Sequence, residues 1–135
     1  MQGESTTLRG RRLILVVEDY SDSRDVYRTI LEHAGFHVLA AGDGADAVRR
    51  ARDELPDLIL MDGNLPVLSG WDAAVQLRGS ADTRHIPIIG ISAMTSADAH
   101  ERARALGFEA YCTKPFLPRQ MLAVVREALK LDERS

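Results

Sequence analysis

Short apolar runs of four to six residues alternate along the chain with longer segments whose apolar residues recur at every third or fourth position. The short runs are typical of buried strands, and the longer segments are typical of amphipathic helices. Five strands are predicted, over residues 13–17, 36–41, 58–61, 86–91 and 110–113. Each strand is followed by one predicted helix.

Residues that favour helix ends mark the predicted boundaries. The predicted helix starts are, in order, Ser21 or Asp22, Asp43 with Asp46, Ser69 with Asp72, Thr95 with Asp98, and a position near Pro118. The predicted stops of the first, second and fourth helices are Gly35, Pro56 and Gly107.

A β-strand and an α-helix repeated five times predict an α/β fold, because short connections and apolar strands favour a parallel sheet covered on both faces. We therefore expect a flavodoxin-like (βα)5 three-layer sandwich with the strand order 2-1-3-4-5. The second strand is the least apolar, which suits a sheet edge. One domain is predicted over residues 12–131, with a flexible tail at 1–11 and a short tail at 132–135.

The composition limits the kinds of molecule that the chain is expected to bind. The 135 residues are 45% hydrophobic and 27% charged, with a net charge of −3, which gives no bulk signal for nucleic acid or for an anionic membrane. We expect no direct binding to either. Residues 1–10 lack the apolar core of a signal peptide. With the single Cys112, which excludes an internal disulfide, these features predict a cytoplasmic protein.

The chemically active side chains follow the predicted strands. Glu18 and Asp19 come after the first strand, Asp62 after the third, Ser92 after the fourth and Lys114 after the fifth. Each of these residues could instead have a purely structural role, since aspartate and serine also favour turns and lysine is usually a solvated charge. In the predicted strand order the three acids become neighbours. Their mutual repulsion predicts a divalent cation between them, and magnesium prefers such oxygen ligands.

These residues, in this order, carry a resemblance to a known family. With Lys114-Pro115-Phe116, and with the stretch 62–70 containing Leu65-Pro66 and Ser69-Gly70, the chain resembles the receiver domain of two-component response regulators over residues 13–131. The family often has aspartate where this chain has Glu18.

The resemblance assigns roles to single residues. Asp62 is expected to be the phosphoacceptor, while Lys114 and Ser92 contact the phosphoryl group. Asp19, Asp62 and the backbone carbonyl of Asn64 are expected to bind Mg²⁺ directly, and Glu18 through a water molecule.

The resemblance also implies how the signal passes on. Ser92 and Tyr111 would act as the switch, and a cis peptide would precede Pro115. A sensor histidine kinase or phosphotransfer protein would donate the phosphoryl group. A downstream protein would bind the face formed by the fourth helix, fifth strand and fifth helix.

Several functions stay open from the sequence. The first is a stand-alone receiver, which is not an enzyme and has no output domain. The chain could also be a receiver fragment of a hybrid histidine kinase or of a larger regulator. A magnesium-dependent phosphatase with Asp62 as nucleophile would need a lid, and the sequence has no insertion long enough for one. A degenerate receiver that only binds partners would be expected to lose the acids or Lys114, yet all are present.

Overall fold

A computed structural model describes residues 11–62, 69–93 and 96–131. The five predicted strands and five predicted helices are present and alternate in the predicted order. The elements are β1 (Leu13–Val17), α1 (Ser21–His33), β2 (His37–Ala41), α2 (Gly44–Glu54), β3 (Leu58–Asp62), α3 (Gly70–Arg78), β4 (Ile88–Ser92), α4 (Ala97–Ala105), β5 (Ala110–Thr113) and α5 (Pro118–Ala128).

All strand pairs in the sheet are parallel, and the strand order is β2-β1-β3-β4-β5. This confirms the predicted flavodoxin-like topology, with β2 at an edge. The register aligns the strand ends, because Val17 pairs with Met61, and Ser92 pairs with Thr113. The carboxyl ends of the strands therefore meet along one edge of the sheet, where α/β proteins usually build their sites.

The core has two layers because strand side chains alternate between the two faces of the sheet. On one face, residues such as Leu15 and Ile59 pack against α2 and α3. On the other, residues such as Ile14 and Leu60 pack against α1 and α5. Every residue of β1, β3 and β4 is buried. Both faces of these three strands are therefore covered, as is usual for a parallel sheet.

Helix starts follow the capping signals in part. The side chain of Asp43 accepts a hydrogen bond from the amide of Asp46, as predicted. The prediction that Ser21 or Asp22 caps α1 is wrong, because both lie inside the helix and Tyr20 is its N-cap. Thr95, the predicted start of α4, lies outside the described residues. The side chain that caps α4 is that of Ser96.

Two strands begin later than predicted. The amide of Phe36 donates to the carbonyl of Leu31, so Phe36 closes α1 instead of opening β2. The amide of Ile86 donates to the carbonyl of Thr83 in a turn, and Pro87 has no amide to donate, so β4 begins at Ile88.

The predicted tails lie largely outside the described residues, which begin at residue 11 and end at residue 131. The domain bounds 12–131 stay a prediction. Among the described residues, no helix has both the length and the apolar character needed to cross a bilayer.

Gly90, in the middle of β4, gives the first prediction. A Cβ atom there would lie 2.8 Å from Cδ1 of Tyr111 and 2.9 Å from Cε2 of Phe108. We expect Gly90→Ala to lower the free energy of unfolding by about 1–3 kcal/mol, because overpacking forces both rings to move. Urea unfolding measures the loss.

Gly79→Ala is the matched control. Its Cβ would make only ordinary contacts, the nearest being 3.4 Å from the carbonyl oxygen of Val75, and its backbone conformation suits any residue. We expect this change to be neutral or slightly stabilising. Equal effects of the two substitutions would contradict the account of Gly90.

Candidate functional site

The sheet brings the three predicted acids together. Glu18 follows the last residue of β1, and Asp62 is the last residue of the neighbouring strand β3. Their relative exposures are only 2% and 5%, while Asp19 is exposed. One carboxylate oxygen from each of the three residues lies within 4.8 Å of the others. The pairing predicted from strand order is therefore present in space.

Lys114 reaches this acidic cluster from the end of β5. Its Nζ donates a hydrogen bond to Oδ2 of Asp62 at 3.2 Å and lies 3.7 Å from Oε1 of Glu18. Its backbone amide donates to the carbonyl of Ser92 at 2.9 Å, which ties the loop after β5 to the end of β4. The bond between Lys114 and Pro115 is cis, as the resemblance implied.

Two pKa values in the cluster are raised, for different reasons. Burial raises the pKa of Glu18 to about 7, and the charge of Asp62 adds to the rise, against the opposing effects of the Tyr20 amide and Lys114. Burial opposes the charged form of Lys114, but the carboxylates of Asp62 and Glu18 outweigh it, so the pKa of Lys114 is raised. The cluster thus favours an ammonium and resists a second buried negative charge.

The donor set fits a hard divalent cation. Oε2 of Glu18 accepts a hydrogen bond from the amide of Tyr20 at 3.2 Å. Its buried Oε1 accepts no hydrogen bond from any described residue. Carboxylate oxygens are the ligands that magnesium prefers, and a cation would remove the repulsion that burial strengthens. Asn64, whose carbonyl was predicted to be a further ligand, lies outside the described residues.

A cavity of about 530 Å³ opens over the cluster and extends toward α3 and α4. Besides the acids and Lys114, its lining includes Ser92, Tyr111, Trp71, Tyr20, Ser23, Ser69 and Ser96. Ser92, only 8% exposed, is the last residue of β4 and therefore stands at the same edge as Asp62. The cavity has room for a phosphoryl group beside a hydrated cation.

Aromatic rings form the far wall of the cavity. The ring of Tyr111 lies 5.6 Å from that of Trp71 and 5.0 Å from that of His100, measured between centroids. Trp71 also stacks on Phe108, and the Cζ atom of Arg102 lies over its ring, 4.9 Å from the centroid. Tyr111 lines a second, surface groove of about 200 Å³ between α4 and β5. Its ring therefore stands between the acidic cavity and the outer surface.

Two residues near the site were missed from the sequence. Neither Trp71 nor Tyr27 is among the site residues predicted from the sequence. Burial raises the pKa of Tyr27, with Lys114 opposing and the charges of Glu18 and Asp62 adding to the rise. The rotation of α1 and α3 about their axes decides where these two side chains lie, and no local motif encodes it.

Comparison with known proteins agrees with this geometry. The family model of the response regulator receiver domain matches residues 14–126. The polar-differentiation response regulator DivK of Brucella anthropi is 33% identical over 116 residues, which cover 86% of this chain and 94% of DivK.

Two solved structures are also similar. The chemotaxis protein CheY4 of Vibrio cholerae aligns with a TM-score of 0.84 at 27% identity, covering 88% of this chain and 99% of that chain. The receiver domain of the sensor histidine kinase PA1611 of Pseudomonas aeruginosa, solved with a magnesium ion in its active-site cleft, aligns with a TM-score of 0.83 at 31% identity, covering 90% and 99%. The chain belongs to the response regulator receiver domain family of two-component signalling.

Proposed function

We propose that the chain accepts a phosphoryl group on Asp62 from the phosphohistidine of a sensor histidine kinase or phosphotransfer protein. One observation carries this proposal: a buried carboxylate at a strand end is paired with a lysine at 3.2 Å and opens into a cavity. A carboxylate held in this way is a nucleophile with its charge stabiliser already in position.

The transfer is a simple displacement. A carboxylate oxygen of Asp62 forms a bond to phosphorus as the bond between phosphorus and the imidazole nitrogen breaks. The electron pair leaves with that nitrogen, which then takes a proton from water. Lys114 neutralises charge on the phosphoryl oxygens, and the hydroxyl of Ser92 donates a hydrogen bond to one of them. The product is an acyl phosphate on Asp62.

Magnesium fits the remaining side of the site. Glu18, Asp19 and Asp62 would hold it, with the Asn64 carbonyl as a further ligand. When bound, Mg²⁺ supplies positive charge opposite the phosphoryl oxygens. The Pseudomonas receiver domain with magnesium in its cleft supports this choice for a relative of the same family.

Phosphorylation would then change the outer surface. Ser92 would move toward the phosphoryl group, and Tyr111 would turn inward into the space released beside it. The face formed by α4, β5 and α5 would bind a downstream protein in one of the two states. The place of Tyr111 between the acidic cavity and the surface groove supports this route. These encounters would occur in the cytoplasm and involve neither nucleic acid nor membrane.

A small-molecule phosphatase is the rival from another class. Such an enzyme closes a lid over its substrate to exclude water. At the carboxyl edge of the sheet the longest connection in this chain is residues 63–69, between β3 and α3. A segment of that length does not enclose a separate substrate. We therefore favour a signalling role without turnover, and steady hydrolysis of a small phosphate ester would favour the enzyme.

Phosphorylation of Asp62 is tested with a small donor. We expect intact-mass analysis to show one phosphoryl adduct after incubation with acetyl phosphate and Mg²⁺, and little or none when a chelator removes the metal. Asp62→Asn should show no adduct, because an amide cannot supply the carboxylate nucleophile.

The exposed Asp53 of α2 provides the matched control. Asp53→Asn changes the net charge equally and should label as fully as the natural chain. Persistent labelling of Asp62→Asn would refute the assignment.

The switch is tested through Trp71, the single tryptophan of the chain. Beryllofluoride with Mg²⁺ mimics a phosphoryl group on a carboxylate, and we expect it to change the emission of Trp71 because the Tyr111 ring lies 5.6 Å away. Tyr111→Ala should lose most of this change while still binding beryllofluoride, as followed by fluorine NMR. An undiminished emission change in Tyr111→Ala would contradict the proposed movement.

A further inference from the structure

Arg24, one turn into α1, turns its side chain back toward the acidic pair. Its Nη1 donates a hydrogen bond of 2.9 Å to the backbone carbonyl of Glu18. Its own backbone amide donates to the carbonyl of Tyr20, also at 2.9 Å. Arg24 therefore contacts both ends of the turn formed by residues 18–20, and Asp19 lies between the two contacts.

Other hydrogen bonds hold the amide and the side chain of Glu18. The amide of Glu18 donates to the carbonyl of Ala41 in β2, and the Glu18 side chain accepts from the amide of Tyr20. The N-cap residue Tyr20 supplies no side-chain cap to α1. The guanidinium of Arg24 adds a hydrogen bond to the carbonyl of Glu18, so the amide, side chain and carbonyl of this residue are all held.

The guanidinium of Arg24 also lies close to Gly42. A Cβ atom built on Gly42, in the loop after β2, would lie 3.3 Å from Nη1 of Arg24. The guanidinium therefore lies against the backbone of that loop while it holds the carbonyl of Glu18. It joins the loop after β1 to the loop after β2 at the edge of the acidic cavity.

We propose that Arg24 is a positioning residue for the acidic pair, holding Glu18 and Asp19 in the arrangement that binds a divalent cation. This inference rests on the proposed magnesium site. Arg24 acts through the backbone carbonyl of Glu18 and touches neither metal nor phosphoryl group. Outer contacts of this kind orient ligands and commonly change metal affinity by about 10–100-fold when removed.

Two possible effects of Arg24 on the Mg²⁺ affinity, through its charge and through its hydrogen bond, have opposite signs. A guanidinium near the site repels a divalent cation, so removing its charge alone would tighten Mg²⁺ binding. Losing the hydrogen bond to Glu18 would loosen the acidic turn and weaken binding. The direction of the change in affinity therefore separates the two roles.

The experiment is a Mg²⁺ titration followed by amide signals in two-dimensional NMR, which report the fold and the dissociation constant together. We expect Arg24→Gln to weaken Mg²⁺ binding about tenfold. In the metal-free protein, the amide of Tyr20 should also exchange with solvent faster, while exchange in β3 and β4 stays unchanged.

Arg28→Gln is the matched control, because Arg28 lies one turn further along α1 and pairs with Glu32 at 3.9 Å. It removes the same charge and should leave the Mg²⁺ affinity unchanged. Asp19→Asn is the positive control and should weaken binding at least as much as Arg24→Gln.

Gly42→Val provides a second variant that keeps Arg24 and its charge. Its side chain would displace the guanidinium, and we expect weaker Mg²⁺ binding in the same direction. This variant decides the question if Arg24→Gln fails to fold.

The outcomes separate this inference from the proposed function. If the natural chain and Asp19→Asn bind Mg²⁺ equally weakly, the metal site itself is wrong. If the natural chain binds Mg²⁺ and Asp19→Asn weakens it, unchanged or tighter binding by Arg24→Gln would overturn the role of Arg24 alone.

Discussion

The structure depends on one electrostatic constraint: acidic side chains meet at the end of a buried parallel sheet. The strand order places Glu18 beside Asp62, and both are buried. Burial raises the pKa of Glu18 to about 7, and the like charge of Asp62 adds to the rise. Lys114 relieves part of the repulsion through its contacts with both carboxylates. A site of this kind favours the arrival of further positive charge and can anchor a phosphoryl group beside it.

The same contacts connect the site to the surface. Tyr111 lies within the short strand β5, and Lys114 follows its last residue. The backbone amide of Lys114 donates to the carbonyl of Ser92 at the end of β4. A change in the hydrogen-bond partner of Lys114 would therefore affect the positions of Ser92 and Tyr111, the two residues proposed as the switch. Gly90 leaves the space over β4 that the rings of Tyr111 and Phe108 occupy. The proposed chemistry at the acids and the proposed binding at the outer face would thus share β4 and β5.

The sequence predicted the topology because strand apolarity, helix periodicity and connection length all agree in this chain. It also predicted that Glu18 and Asp62 meet, because the strand order places β1 beside β3. Lys114 follows β5, two strands away from β3, and its long side chain brings its ammonium group to both acids. It did not predict the contacts of Trp71 with Tyr111 or of Arg24 with Glu18, which depend on how each helix is rotated against the sheet. The missed start of β4 has a local cause, a turn closed by the amide of Ile86.

The central claim is that the buried carboxylate of Asp62 becomes an acyl phosphate. Borohydride reduces an acyl phosphate on aspartate to homoserine, and peptide mass spectrometry locates the product. After treatment with a phosphodonor and Mg²⁺, we expect homoserine at position 62 and aspartate at position 19. Homoserine at another position, or a phosphoryl adduct that yields no homoserine, would contradict the central claim.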